Sequence, residues 1–575
     1  MHGRPVQQVL GESSPSHPNR WRILGVLVLA LLVTSIDHTI INVALPQMVG
    51  DLGASAAELQ WVVAAYTVVF AGLLLTAGSL GDRFGRRHAL AAGLFTFVAG
   101  SVTSALAAST TMLIAGRGVM GVGGALIMPT TLSILVNAFG DPRERATAIA
   151  TWTAASGAGI ALGPIVGGML MRSFSWGSVF WINVPLLALA LVGTMHLVPD
   201  SRDPNATRLD PIGALLSIIA VSSLVYAIIE GPERGWTSSS TMTSFMIAAM
   251  AGAMFVRWEL RRDEPMLDMR LFANRGFSAG SVALAMLFFA MAGTVFLQAQ
   301  YLQFILSYTP LVAGAALVPA ALGMILGTGV GAHAAGQVGG RIAVVAGTLF
   351  AAAGVAVQAA LIDGTSYVPT GVGLLLFGLG AGIAMPAATD LIMSTLPSAR
   401  AGVGSAVNDT VRELGGALGV AVIGSVAAST YASNLNGRLD AVAGLPEGVR
   451  AAVTDNLGAA LEASRHLGAS GADVAAAARD AFVSSMSGSL WVGAGLAALA
   501  TVIAFVHLPK HAPPAHRHGG HAAPADATDQ VAPARVREPV MSTTTTHTAS
   551  PLSSPTGDAQ LEEATSAHAA TSAAP

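Results

Sequence analysis

The 575-residue chain has no cysteine, so disulfides and thiolate metal sites are excluded. Charge is scarce too. Asp, Glu, Lys and Arg make up 11% of the residues, far below the roughly 25% of soluble domains. Lysine is almost missing: Lys510 is the only one, and arginine supplies the rest of the positive charge. Net charge is −3 with no basic patch, which argues against nucleic acid as a partner. No G-x-x-x-x-G-K-[ST] run occurs, so no nucleotide site and no cofactor are expected. Residues 1–20 are polar and hold no apolar core with a cleavage site, so the first apolar run is expected to be retained.

Apolar sequence fills the space. Hydrophobic residues make up 53% of the chain, in recurring runs long enough to cross a bilayer. The expected fold class is an all-α polytopic membrane protein. Its fourteen spans are read at 22–46, 57–80, 88–107, 110–135, 145–171, 177–198, 211–231, 242–260, 279–305, 311–333, 342–362, 369–393, 402–428 and 487–508. An even number puts both ends on one side. Arg83, Arg86, Arg87, Arg143, Arg145, Arg202, Arg208, Arg261, Arg262, Arg270, Arg275, Arg341 and Arg400 fall in the even-numbered short loops, and only Arg172 and Arg234 in the odd ones. The positive-inside rule then makes both termini cytoplasmic, and the localisation the cell inner membrane. Most tryptophans fall near span ends, as interfacial belts do; Trp152 does not.

Two stretches read as non-membrane. Residues 430–486 are an alanine-rich extracytoplasmic insertion with one or two short helices, and 510–575 a disordered tail. His511, His516, His518 and His521 in the tail could hold a metal ion, but a biased flexible segment is the favoured reading, so no metal site is assigned. Two internal echoes organise the rest. Gly121, Gly123, Met128 and Pro129 match Gly378, Gly380, Met385 and Pro386 at an offset of about 257; Gly85 and Arg87 match Gly339 and Arg341 at about 254. The expected layout is 1–21 as a cytoplasmic segment, 22–198 as one six-helix half, 199–275 as two linker helices, and 276–509 as a second half carrying the insertion. Repeated halves around a midplane site are the architecture of secondary transporters.

Charges inside spans are the candidate functional residues. Asp37, in "LLVTSIDHTIINVALP", lies within the first span; Arg117 lies at similar depth in the fourth. Intramembrane charges pair or face a cavity, so the two are expected to meet, either as a static bridge or as a pair that opens on protonation. Span 13 carries Asp409, Arg412 and Glu413. Neighbours point about 100° apart, so one of Arg412 and Glu413 is expected to be buried against span 10 or 11. Glu413 is a second proton or cation candidate. Asp390 sits near the cytoplasmic end of span 12, facing water or greeting substrate. Glu230 reads as a solvated interface residue, and Gln298, Gln300, Tyr301 and Gln303 as a vestibule lining.

Glycine patterns add to these. "GSLGDRFGRR" carries Gly78, Asp82, Arg83, Gly85, Arg86 and Arg87, with Asp82 placed to cap the next helix or pair with an arginine. Gly159, Gly163 and Gly167 recur every four residues beside Pro164 and Gly168, leaving a bare helix face for close packing, either as simple tight contact or as a flexible, leak-tight contact between the halves. "GSLGDRFGRR" resembles the loop signature of the major facilitator superfamily. "LIAGRGVMGVGGA" resembles that superfamily's helix 4 motif with Arg117 at its arginine, and "GAGIALGPIVGG" its antiporter motif. "IDHTIINVALP" and "EGPERGW" are similar to motifs of its 14-helix drug:proton antiporter family, of the multidrug-resistance type. One departure is Gly336 and Gln337, which replace the acid and arginine of the second loop motif and leave any gating interaction there weaker or absent.

The resemblance implies a major facilitator fold and a proton-coupled exporter of drug-like or amphipathic molecules. Its partners would be a small-molecule substrate, protons and the lipid bilayer, with the chain a monomer and not an enzyme. A dedicated exporter of one endogenous metabolite, antibiotic or lipid fits the same residues. A membrane sensor would need an effector domain that the sequence does not offer.

Overall fold

The computed structural model describes residues 16–202, 209–396, 401–439 and 447–509. The His-rich tail residues, Arg208 and Arg400 lie outside them. Among the described residues there are fourteen helices long and apolar enough to cross a membrane. Spans 1 to 6 are Arg20–Leu52, Ala56–Phe84, Arg86–Ala105, Thr110–Ala138, Pro142–Met171 and Ser178–Leu197. Spans 7 and 8 are Pro211–Arg234 and Ser239–Glu259. Spans 9 to 14 are Arg275–Ile305, Pro310–Ala334, Gly340–Leu361, Val368–Ser394, Gly404–Leu439 and Gly471–His507. A helix satisfies its backbone internally, which hydrocarbon demands.

Local signals set the helix starts. Ser55 and Glu58 form a reciprocal capping box ahead of span 2. Asp141 accepts from the Arg143 and Glu144 amides and Pro142 fills the first position of span 5. Asn274 caps span 9 in the same way. Gly85 ends span 2 at φ +109, where an L side chain is strained, and an added Cβ would also meet Asp200 Oδ1. Its echo Gly339 repeats that backbone at φ +90.

The helix pairings repeat as the glycines do. Span 3 packs on 4, 2 on 4, 1 on 5, 3 on 6 and 1 on 6; span 11 packs on 12, 10 on 12, 9 on 13, 11 on 14 and 9 on 14. The crossings match atom for atom. Gly100 and Gly116 each abut the other's carbonyl, as do Gly354 and Gly373, and the Gly93–Gly123 contact recurs as Gly347–Gly380. Bare backbones at these points permit close approach where the hydrophobic effect between helices is lost. Spans 7 and 8 pair with each other, and span 7 rests on spans 2 and 13.

The halves meet through span 2 on 13 and span 5 on 10, with span 1 on 9. These contacts gather at the end that carries the insertion. There Gln303 Nε2 donates to Val43 O (2.9 Å), Ser425 Oγ to Gln60 Oε1 (3.2 Å), and Gly168 lies against Leu311. Toward the arginine-rich end span 5 is mostly exposed, from Pro142 to Ala158, before it packs from Gly159 onward.

Residues 430–486 are less loop than expected. Span 13 continues to Leu439 and span 14 begins at Gly471, leaving two short helices, Glu447–Asp455 and Leu457–His466, between them. Alanine-rich sequence of high helix propensity extends the two spans to 36 and 37 residues, more than the roughly 20 that a hydrocarbon core requires. Span 1 likewise continues past Pro46 to Leu52. Trp152, out of place as a belt residue, donates its indole N–H to Thr131 Oγ1 (3.3 Å) and ties span 5 to span 4.

Candidate functional site

Asp37 and Arg117 are sealed in the protein, with 0% and 1% of their side chains exposed. Arg117 Nη1 donates to Asp37 Oδ2 at 2.6 Å. Arg117 reaches that position because Gly116 and Gly121 let span 4 lie close against spans 3 and 2. Its Nε donates to the Val62 carbonyl (3.1 Å), and its guanidinium lies 4.7 Å from the Tyr66 ring centroid, a cation–π arrangement. The other carboxylate oxygen, Oδ1, accepts from Asn183 Nδ2 at 2.8 Å. Asn183 Nδ2 also donates to Ser101 Oγ (3.1 Å), which donates to the Phe180 carbonyl (2.8 Å). Five spans thus converge on one carboxylate. A buried pair is weak evidence of net stability, but losing one partner strands a charge at a cost of about 3–5 kcal/mol.

Asn183, Ser101 and Tyr66 were not singled out from sequence. Each is an ordinary polar or aromatic residue far from Asp37 in the chain; the only signal was a lone amide in the apolar run of span 6. His38 adjoins Asp37 and is partly exposed, with its ring edge-on to Tyr66 at 5.9 Å between centroids.

Across the seam, Arg412 lies 4.6 Å from the Phe288 ring centroid of span 9 and 3.5 Å from Asp409. Glu413 Oε2 is buried with no hydrogen-bond partner. The expected burial against span 10 or 11 is therefore corrected: span 13 packs chiefly on spans 9, 14 and 2, because span 9 presents glycine and alanine to it at Gly293 and Ala285. His38 lies within electrostatic range of Arg412, and Tyr66 of Glu413. Asp390 is exposed near its helix end.

Other expectations change. Gln298 is buried and bonded to Gln358 of span 11, and Tyr301 is buried, so neither lines a vestibule. Glu230 is held by Trp61 Nε1 (3.2 Å) and Arg234 (2.7 Å) with 14% of its side chain exposed, a brace rather than a solvated residue. In the loop motif Asp82 pairs with Arg86 (2.7 Å) instead of capping span 3, because Gly85 ends the helix between them. Arg83 is exposed, and Arg87 Nε is buried with no partner. Gly78 approaches Pro129 of span 4. The glycine stripe of span 5 divides its work. Gly159, Gly163 and Gly167 abut Ser35, Thr39 and Ile40 of span 1 in the same half. Gly168 and the Pro164 carbonyl instead meet Leu311 and Gly314 of span 10, across the seam. Gln337, at the departed second loop motif, is bonded to His333 (2.9 Å), one turn away.

Residues 27–420 match the family model of the Major Facilitator Superfamily. The multidrug efflux pump LfrA of Mycolicibacterium smegmatis is 36% identical over 498 residues, 86% of this chain and 98% of LfrA. The multidrug resistance protein Stp of Mycobacterium tuberculosis is 35% identical over 424 residues, 73% of this chain and 79% of Stp. A crystal structure of a bacterial homolog of the human lysosomal transporter Spinster, inward-facing and unoccupied, superposes with TM-score 0.59 at 19% identity, covering 87% of this chain and all of that one. By sequence match and by fold, this chain, with fourteen membrane-length helices among its described residues, belongs to the major facilitator superfamily and is a multi-pass membrane transporter.

Proposed function

We propose that the protein is a proton-coupled exporter of drug-like or amphipathic small molecules, working in the cytoplasmic membrane with both termini inside. One observation carries the reading: a fully buried carboxylate, Asp37, held by Arg117 at 2.6 Å among spans of the first half. In that setting a proton and Arg117 compete for the same oxygen. LfrA, named a multidrug efflux pump, and Stp, named a multidrug resistance protein, support export as the direction.

The cycle follows from the pair. With Asp37 ionised, Arg117 stays bound to it and to the Val62 carbonyl, and the halves are closed at the insertion end. The arginine-rich end is the cytoplasmic one on the positive-inside argument, so this state receives substrate from inside. Substrate enters beside the partly exposed Asp409 and Arg412 of span 13. After the halves rock to the outer-open state, a proton neutralises Asp37 and frees Arg117. The altered charge repels a cationic substrate and releases it outside. Return to the inward state delivers the proton to the cytoplasm. Glu413, with a buried unpartnered oxygen, is the second candidate for the same exchange. Asp390 and Arg412 serve substrate entry and the charge balance of the interior.

The test is efflux of a panel of cationic dyes and antibiotics from cells expressing the chain. A protonophore should abolish export while ATP is held constant. Export that persists after collapse of the gradient overturns the coupling. Export confined to one endogenous compound favours the dedicated-exporter alternative.

A further inference from the structure

The proton's route to Asp37 is the gap in this cycle. Asp37 is 0% exposed and both its oxygens are occupied, by Arg117 and Asn183. Water in the interior does not touch it. A group that reaches both the carboxylate and the interior has to carry the proton. His38 is next in the chain to Asp37, and its ring is partly exposed. The ring stands edge-on against Tyr66, whose face is covered by the Arg117 guanidinium. The charged and titratable groups around it come from four elements: Asp37 on its own span, Arg117 on span 4, Tyr66 on span 2 and Arg412 on span 13. Tyr66 in turn lies within electrostatic range of Glu413. His38 thus stands between the charge group of the first half and that of the second.

We propose that His38 is the proton shuttle between the interior and Asp37. This rests on the proton-coupled reading above and names the residue that loads and unloads its carboxylate. In the loading step an imidazolium N–H gives its proton to a carboxylate oxygen of Asp37 as Arg117 withdraws. The imidazole is left neutral and takes the next proton from water. Unloading reverses this: neutral imidazole accepts the proton from the carboxyl group, Arg117 returns to the carboxylate, and imidazolium releases the proton to interior water.

The test uses the full-length protein in proteoliposomes, with His38→Ala, His38→Gln and Asp37→Asn beside wild type. Two fluxes of one cationic dye are measured: net transport driven by an imposed proton gradient, and dye-for-dye exchange without a gradient. With saturating dye on both sides, dye replaces dye while Asp37 stays ionised, so this exchange needs no proton transfer. Both His38 variants should lose at least about tenfold in driven transport and exchange dye at the wild-type rate. Added imidazole should restore driven transport to His38→Ala. The inference is overturned if either variant keeps wild-type driven transport, if exchange falls in parallel, or if imidazole restores nothing. Should Asp37→Asn itself keep driven transport, the underlying coupling at Asp37 fails instead. The two failures are therefore separable.

Discussion

Asp37 was conspicuous as a lone acid in an apolar run, and Arg117 as a base at matching depth. Counting residues at 1.5 Å per step was enough to bring the two together, and they stand 2.6 Å apart. What the sequence hid was their setting. The Val62 carbonyl, the Tyr66 face and the Asn183 amide come from spans that only the fold assembles, and a carbonyl has no signature in sequence at all. The setting decides how replaceable Arg117 is. A lysine keeps the charge, but its compact ammonium cannot span the Val62 carbonyl and Asp37 from separate nitrogens while laying a flat face on the Tyr66 ring. Arg117→Lys should insert normally, unfold with a loss of about 2 kcal/mol for the missing charge-assisted bond, and export poorly. Thermal unfolding in detergent and dye efflux check this together. Wild-type values for both would mean that the charge alone matters. The charges of span 13 were visible in sequence too, but their packing partner was misplaced, because the faces that spans present to one another are not encoded by depth.

Element by element, glycine spacing was the most legible signal and the least specific. The four-residue repeat in span 5 announced a close contact without saying with what. It proves to be span 1 for Gly159, Gly163 and Gly167, and span 10 for Gly168. A Cβ at Gly163 would press on Thr39 Oγ1 and the Ile36 carbonyl, so Gly163→Val should lower the yield of folded protein. At Gly168 the obstruction is Leu311 of the other half. Gly168→Val should fold, yet fail to close the insertion end. Protease or alkylation access to that end distinguishes the two, and equal folding defects would refute the division. The insertion helices offer a pH prediction. Asp455 accepts from the Ala56 amide (3.4 Å), and Asn456 donates to the Ala54 carbonyl (3.2 Å), docking the insertion on the turn between spans 1 and 2. Burial pushes Asp455 above the usual carboxylate range and Glu58 adds to this, against the Ala56 amide and Asn456. A carboxyl group raised in the folded state stabilises below its unfolded pKa and loses that contribution as pH rises through the folded value. Hydrogen exchange over residues 447–466 should therefore be slower at acid pH than at neutral pH, with the difference abolished in Asp455→Asn. Exchange that slows on raising pH, once corrected for the intrinsic rate, would contradict this. None of this docking could be read from an alanine-rich stretch whose partners are backbone groups four hundred residues earlier.

At the scale of the whole molecule, two short echoes announced two halves, and the helix pairings repeat between them. The repeat also explains why the seam is built as it is: span 2 on 13 and span 5 on 10 are the same contact seen twice. A static sequence does not say which end of that seam is shut. Here the contacts gather at the insertion end, where Gln303 reaches Val43. The absence of native cysteine makes a direct probe available. A Val43→Cys, Gln303→Cys pair should be linked by a short reducible bifunctional thiol reagent, stop transport, and recover on reduction. Free transport with the link in place would mean that this end does not open. The central claim is that one buried carboxylate exchanges a proton for a substrate. Its most direct test is simultaneous recording of proton and dye flux in proteoliposomes under an imposed pH gradient, for wild type and Asp37→Asn. Wild type should move protons in as dye moves out, and the variant, inserted to the same level, should do neither. Coupled flux at the wild-type rate in Asp37→Asn would contradict the account.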